Sequence, residues 1–238
     1  MRRVPFASIA LLALGACEAP RQEVRTPVPE TINDSFLGDD VDVDRFVGRW
    51  ELESREVYAG RDDIVAALGI EPGETVADVG VGTGLFLEPL ADAVGASGRL
   101  YAVDISPAFV FHVRERAREA GLDHVEVVLS TQRSAELPAN SIDAVLLCDV
   151  YHHFEYHEDM LRSILRALKP GGRFVVVDFH RIPGVTREWL LGHVRAGQEV
   201  FVGEIVEAGF RKVDEIDVPA FEENYLVRFV KDGPQSRE

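Results

Sequence analysis

Apolar and polar positions switch between two periods along most of this chain, from about Trp50 onward. Residues 55–68 place Val57, Ile64, Val65 and Leu68 among charges at helical spacing, and Glu71-Pro72-Gly73 ends that pattern. Thr75–Val79 is a short apolar run that reads as a buried strand, and residues 85–94 return to the helical period. Residues 99–103 predict a second strand, ending at Asp104. A helix follows, with Ser106 as N-cap and Pro107 in the first turn, where its fixed φ is tolerated; it stops at Gly121. Val125–Leu129 and residues 142–147 predict the third and fourth strands. Residues 158–168 are helical and are closed by Lys169-Pro170-Gly171-Gly172. Residues 173–178 predict a nearly all-apolar fifth strand, as expected when helices cover both faces of a sheet. Residues 198–208 predict a helix stopped by Gly209, and residues 212–218 and 224–230 two closely spaced strands. Strands alternating with helices predict an α/β fold with a mainly parallel sheet.

Composition adds limits to this picture. The 238 residues are 46% apolar, enough for a real core and one domain with an N-terminal extension. A formal net charge of −16 gives no electrostatic reason to bind nucleic acid, because neutralising phosphates needs Lys and Arg. The two cysteines, Cys17 and Cys148, build neither a disulfide framework nor a Cys-based metal site. Cys148 ends an apolar run and reads as a small buried hydrophobe.

The first residues have a different character. Arg2 and Arg3 precede an apolar stretch, residues 4–16, that is too short to span a membrane. It ends in Leu14-Gly15-Ala16-Cys17, which resembles the lipobox of bacterial lipoproteins; an ordinary signal peptide is the other reading. The resemblance implies cleavage after residue 16, a lipid anchor on Cys17 and a place in the bacterial cell envelope. Glu18, where an Asp would favour inner-membrane retention, points to the outer membrane. Cleavage removes two positive charges and no negative ones, taking the net charge from −16 to −18. Residues 17–44, with Pro20, Pro27 and Pro29 and little periodicity, are expected to be a flexible tether to a domain spanning 45–238. If the signal is not processed, the chain stays cytoplasmic.

The chemistry is concentrated after the first strand. In such a sheet, ligands bind beyond the carboxyl ends of the strands near the point where strand order reverses. Here that segment is Asp78-Val79-Gly80-Val81-Gly82-Thr83-Gly84, with Asp104 at the end of the next strand, 20 residues past Gly84. Glycines permit a tight turn and close approach of backbone to ligand, and a carboxylate at the second strand end accepts from ribose hydroxyls. Nicotinamide dehydrogenases share such a turn. Three details favour S-adenosylmethionine over a dinucleotide. Leu85 stands where the dehydrogenase spacing wants Gly or Ala; Asp78 suits an ammonium group and would repel a pyrophosphate; and the chain ends in a close pair of strands.

With these residues in place, the stretch 55–231 resembles class I S-adenosylmethionine-dependent methyltransferases of the small-molecule type. Residues 74–84 are similar to the first motif of that family, 103–106 to the second, 141–149 to the fourth-strand motif and 168–172 to the turn before the fifth strand. The resemblance implies a Rossmann-like seven-stranded sheet of order 3-2-1-4-5-7-6, with an antiparallel last strand and helices on both faces. It implies that Asp78, Gly80, Gly82 and Gly84 hold the methionine end of the cofactor. Asp104 and Ile105 would flank the ribose and adenine, and Asp149 and Val150 would face the cofactor. Many relatives carry an Asp after the third strand; here Thr131 or Gln132 must supply the adenine contact.

Methyl transfer from a sulfonium is an in-line displacement, so alignment and exclusion of water do most of the work. A base is needed only where the acceptor must lose a proton. Tyr151, His152 and His153 are the first candidates, with Tyr156, His157 and His180 nearby. Clustered histidines also suggest a metal through His152, His153, His157 and His180. Side chains of adjacent residues in an extended segment point opposite ways, so no metal site is expected. The expected function is methyl transfer to a small-molecule or lipid-like acceptor. The alternatives are a membrane-tethered binding protein without catalysis and a dehydrogenase.

Overall fold

The computed structural model describes residues 28–29, 31–38, 40–52 and 55–233. The expected signal sequence, residues 1–16, and its expected lipidation site, Cys17, lie outside the described residues. In chain order the helices are α1 (Asp34–Leu37), α2 (Val43–Trp50), α3 (Glu56–Ala59), α4 (Arg61–Ala67), α5 (Leu87–Val94), α6 (Pro107–Glu119), α7 (His157–Ala167), α8 (Glu188–His193) and α9 (Gln198–Glu207). The strands are β1 (Thr75–Val79), β2 (Arg99–Asp104), β3 (Val125–Leu129), β4 (Ile142–Cys148), β5 (Leu168–Phe179), β6 (Phe210–Ile216) and β7 (Asn224–Lys231). A 3₁₀ turn spans Tyr151–His153.

The strands form one sheet of order β3-β2-β1-β4-β5-β7-β6, the order the resemblance implied. β1 pairs in parallel with β2 and β4, and β7 runs antiparallel to both β5 and β6. Alternation along the strands sends side chains to two separate cores. Ala77, Val79, Val145, Leu147, Phe174 and Val176 pack with Met160, Leu161 and Ile164 of α7 and with Phe201 and Ile205 of α9. Val76, Leu100, Ala144, Leu146, Val175 and Val177 pack on the other face with Ile64, Leu87 and Leu90. Both faces are therefore covered, which is why the central strands are mostly apolar, with Asp78 in β1 and Asp143 in β4 as exceptions. No helix among the described residues is long and apolar enough to cross a membrane.

Three expectations need adjustment. The helix predicted over 55–68 breaks at Gly60 into α3 and α4; a Cβ there would lie 2.9 Å from Val218 Cγ1 and 3.1 Å from Phe221 Cε1. The backbone passes so close to the β6–β7 connection that helix and neighbour fit only through glycine. Helix α8 is absent from the sequence reading, since six residues with Gly192 among them carry too little periodicity. The expected tether, 17–44, is not free at its described end. Ile32 is buried, and the Phe36 ring lies 5.5 Å from Phe46 and 6.2 Å from Phe109. Two aromatic residues at the tether end and in α2 supply apolar area that a flexible linker would leave in water.

Candidate active site

The ends of β1, β2 and β4, on either side of the point where strand order reverses, open into a cavity of about 780 Å³. That is within the usual range for a cofactor or small ligand. Its floor is the turn after β1. Gly80 and Val81 donate their N–H groups to Val103 O at 2.7 and 2.9 Å, which ties the turn to β2. Gly80 has φ +82°, and a Cβ on it would lie 2.4 Å from Val150 Cγ2. Gly82 has φ +54°, with the Trp50 ring 3.2 Å from where its Cβ would be. Trp50 belongs to a cluster with Phe36, Phe46 and Phe109 (ring centroids 4.6–5.9 Å from Trp50) that borders the cavity. The N-terminal segment thus covers the glycine turn.

Four carboxyl groups sit at or just past the carboxyl ends of β1, β2, β4 and β5. Asp78 is 2% exposed, and its Oδ2 is buried with no hydrogen-bond partner. Burial, followed by the nearby Asp104, raises its pKa to about 7. Asp104 accepts from Gly82 N and Ser106 N, both at 2.8 Å; burial raises its pKa to about 6 against those bonds. Asp149, in the left-handed region at φ +54°, accepts from Arg55 Nη2 and Asn224 Nδ2, both at 2.7 Å. Its pKa is raised to about 7 by burial, which outweighs Arg55. Asp178 is fully buried at the end of β5 and is likewise raised to about 7 by burial. Arg55 is ion-paired with Asp149, whereas Asp78 and Asp104 have no cation within salt-bridge distance among the described residues, so the glycine-turn end of the cavity favours a positively charged ligand.

All of the residues expected to hold the cofactor except Gly84 border the cavity: Asp78, Gly80, Gly82, Asp104, Ile105, Thr131, Gln132 and Asp149. Gly84 closes the turn behind them, with φ +89°. Thr131 has a local role as well, accepting from Arg133 N at 3.2 Å. Cys148, expected as a buried hydrophobe, is only half-buried and borders the cavity.

The candidates for proton transfer separate. Tyr151 turns away from the cavity and is wholly buried between the sheet and α9. Its Oη donates to Glu204 Oε2 at 2.8 Å, its ring packs on Phe201 at 4.9 Å, and burial pushes its pKa upward. Tyr151 therefore belongs to the core, in correction of its expected catalytic role. His157 Nε2 lies 3.6 Å from Glu204 on the same side as Tyr151, and His180 packs on Tyr225 at 5.3 Å. Tyr156 lies under the Arg133 guanidinium.

His152 and His153 do border the cavity, and His193 of α8 joins them. The three ring centroids lie 4.3, 5.1 and 5.2 Å apart. The expectation that adjacent histidines diverge fails because the segment is a 3₁₀ turn, where successive side chains are about 120° apart rather than 180°. His152 is held by Asp178, with Nδ1 to Oδ1 at 2.8 Å, and His153 by Asn33, with Nδ1 to Oδ1 at 3.1 Å. Burial lowers the pKa of all three rings. Sequence reasoning missed Arg55, Asn33, Asn224 and His193, which reach the site from distant elements. Asp178 had a legible signal, a carboxylate at the carboxyl end of a strand in a parallel sheet.

Comparison with known proteins agrees with this architecture. Residues 77–176 match the family described as "Methyltransferase domain". The sheet and its strand order are those of the Rossmann-like methyltransferase fold. Over 117 residues the chain is 34% identical to the ubiquinone/menaquinone biosynthesis C-methyltransferase of Ectopseudomonas mendocina, covering 49% of this chain and 45% of that protein. The protein of the same description from Pseudomonas fluorescens is 32% identical over 114 residues, covering 48% and 44%. The chain thus spans less than half the length of these curated relatives. Among solved structures, a SAM-dependent methyltransferase from Aquifex aeolicus superposes with a TM-score of 0.69 at 24% identity, over 81% of this chain and all of that one. A geranyl diphosphate C-methyltransferase from Streptomyces coelicolor, solved with Mg2+, geranyl-S-thiolodiphosphate and S-adenosyl-L-homocysteine, gives 0.62 at 15% identity, over 73% and 76%. At these identities the two structures speak for the fold.

Proposed function

We propose that this domain transfers a methyl group from S-adenosylmethionine to a small, largely apolar acceptor. The observation that carries the reading is Asp78: a buried carboxylate oxygen without a partner, at the foot of a glycine turn bordering the cavity. S-adenosylmethionine brings an ammonium and a sulfonium, whereas a dinucleotide brings a pyrophosphate that this floor would repel. Asp78, Gly80 and Gly82 would hold the methionine end, Asp104 and Ile105 the ribose and adenine, and Thr131 or Gln132 the adenine edge. When bound, the cofactor supplies the electrophilic methyl group. The chain aligns the acceptor and excludes water, with Trp50 and Phe36 covering the donor side. Phe179 and Trp189 line the cavity beside His152 and His193, and Met160 also borders it, which suits an apolar or aromatic acceptor. The curated relatives' names, quinone-pathway C-methyltransferases, support an acceptor of that kind.

Calorimetric titration of the full chain with S-adenosylmethionine and with NAD tests the reading. One equivalent of S-adenosylmethionine bound and no NAD is the expected result. NAD binding, or a folded chain that binds neither, would overturn it.

We also propose that the chain reaches the envelope as a lipoprotein, on the strength of Arg2, Arg3, the apolar stretch 4–16 and Cys17. Labelled palmitate should enter the wild type and not Cys17→Ala. A wild type that takes up no label would show this reading to be wrong.

A further inference from the structure

We propose that His152, His153 and His193 form a site for one divalent transition-metal ion of the zinc class, open to the cavity on its fourth side. One ring nitrogen from each histidine lies within 4.8 Å of the other two. A tetrahedral site with metal–nitrogen bonds of about 2.0–2.1 Å needs these atoms about 3.4 Å apart. Closing that difference takes rotation about the side-chain bonds of His193, which is only half-buried on the last turn of a short helix.

The hydrogen bonds fix which atoms are offered. Asn33 Nδ2 donates to His153 O and to Glu155 Oε1, each at 3.1 Å. Its Oδ1 must therefore be the atom facing His153 Nδ1, and as an acceptor it places the ring proton on Nδ1. That leaves the Nε2 lone pair of His153. Asp178 likewise accepts from Phe179 N at 2.7 Å and His152 N at 3.2 Å, so its Oδ1 also takes the Nδ1 proton of His152. His152 then offers Nε2. A histidine whose far nitrogen donates to a carboxylate or amide oxygen is the arrangement that orients imidazole for a metal and raises its basicity. Two rings oriented this way, with a nitrogen of a third ring within 4.8 Å of both, leave room for a cation between them. Three neutral imidazoles suit zinc, and an open fourth position takes water or an oxygen of a ligand.

The site needs nothing from S-adenosylmethionine. Its use in catalysis rests on the methyltransferase reading: Arg49 borders the same cavity, so metal and guanidinium together would draw an oxygen anion of the acceptor. The donor end is negative and the acceptor end positive, which matches a methyl group moving to an anion.

Co2+ titration of the chelator-stripped full chain, without cofactor, tests the proposal. The expected result is one Co2+ per chain with the visible spectrum of a tetrahedral site, displaced by one equivalent of Zn2+. Affinity should fall at least tenfold in His193→Ala, and about 10- to 100-fold in Asp178→Asn, which touches no metal. His180→Ala should bind as the wild type does. A second measurement needs no variant. One equivalent of Zn2+ should protect His153 and His193, and not His180, from carbethoxylation mapped by mass spectrometry. Absence of stoichiometric Co2+ uptake by the wild type, or equal reactivity of His153 and His193 with and without Zn2+, would overturn the proposal. Both results are independent of whether S-adenosylmethionine binds.

Discussion

Arg55 donates to Asp149 Oδ2 at 2.7 Å, joining the segment before α3 to the end of β4. Asn224 holds the other oxygen of the same carboxylate, so three distant parts of the chain meet on one side chain. Arg55→Leu keeps much of the volume and removes the charge. Asp149 then stands buried near Asp178 with only an amide for company. Because the Arg55 side chain is 28% exposed, the loss should be smaller than for a fully buried pair, about 1–3 kcal/mol in urea denaturation at pH 8. Asp149, raised to about 7 even with Arg55 present, takes up a proton at pH 6 and escapes that penalty. The variant's deficit should therefore shrink from pH 8 to pH 6. An equal deficit at both would mean that packing of the Arg55 stem, and not its charge, is what was lost.

Gly80 is the position in the turn with least room. Gly80→Ala has to adopt φ +82° and place a methyl group 2.4 Å from Val150 Cγ2. The left-handed backbone costs about 1–2 kcal/mol and the overlap about 1–3. The denaturation midpoint should fall accordingly. Val150→Ala in the same chain removes the two closest contacts and leaves Val150 Cβ at 3.0 Å and the backbone cost, so it should restore part of the loss. Full restoration would show that the turn tolerates a non-glycine residue and that its glycine serves ligand access alone.

The strands were legible because two physical signals agreed, mostly apolar runs and turn residues such as Gly73 and Gly121 between them, whereas their order followed from the family resemblance; Lys169-Pro170-Gly171-Gly172, which reads as a closing turn, lies instead within β5. The glycine turn with Asp78 and Asp104 was legible because one strand–turn–strand unit, close in sequence, makes the whole feature. The acceptor side was not. Tyr151, His152 and His153 are adjacent in sequence, yet one enters the core and two reach the cavity; the choice depends on a 3₁₀ turn that three residues cannot announce. His193 and Asn33 lie 40 and 120 residues from His153, on a helix too short to show a period and on a segment that reads as linker. Packing alone brings them together.

Tyr151→Phe tests the separation of Tyr151 from its two neighbours. The substitution removes one hydrogen bond to Glu204, which keeps two from Arg195 at 2.8 and 2.5 Å. Stability should fall by about 1 kcal/mol. Affinity for S-adenosylmethionine should not change, because the phenol does not reach the cavity. A tenfold or greater loss of affinity with stability intact would put Tyr151 back in the site.

Asp78 makes the most direct link between burial and ligand binding. Its folded-state pKa of about 7 lies above the ordinary 3.8, so the folded chain holds this proton more tightly than the unfolded chain does. Its contribution to stability is fully present below pH 3.8 and is lost as pH rises through about 7. At pH 8 the ligand-free protein bears the whole penalty of a buried, ionised and unpartnered carboxylate. Asp78→Asn bears none of it, though an amide there is also without a partner. That second cost is the same at every pH, so the change with pH is the informative quantity. Relative to wild type, the variant's melting temperature should rise between pH 5 and pH 8. Binding should show the opposite dependence. A cationic ligand selects the ionised carboxylate, so wild-type affinity for S-adenosylmethionine should fall about tenfold per unit as pH drops below 7. Asp78→Asn should bind weakly, with little pH dependence from 6 to 8. A wild-type affinity flat across that range would mean that Asp78 does not meet the cofactor's positive charge.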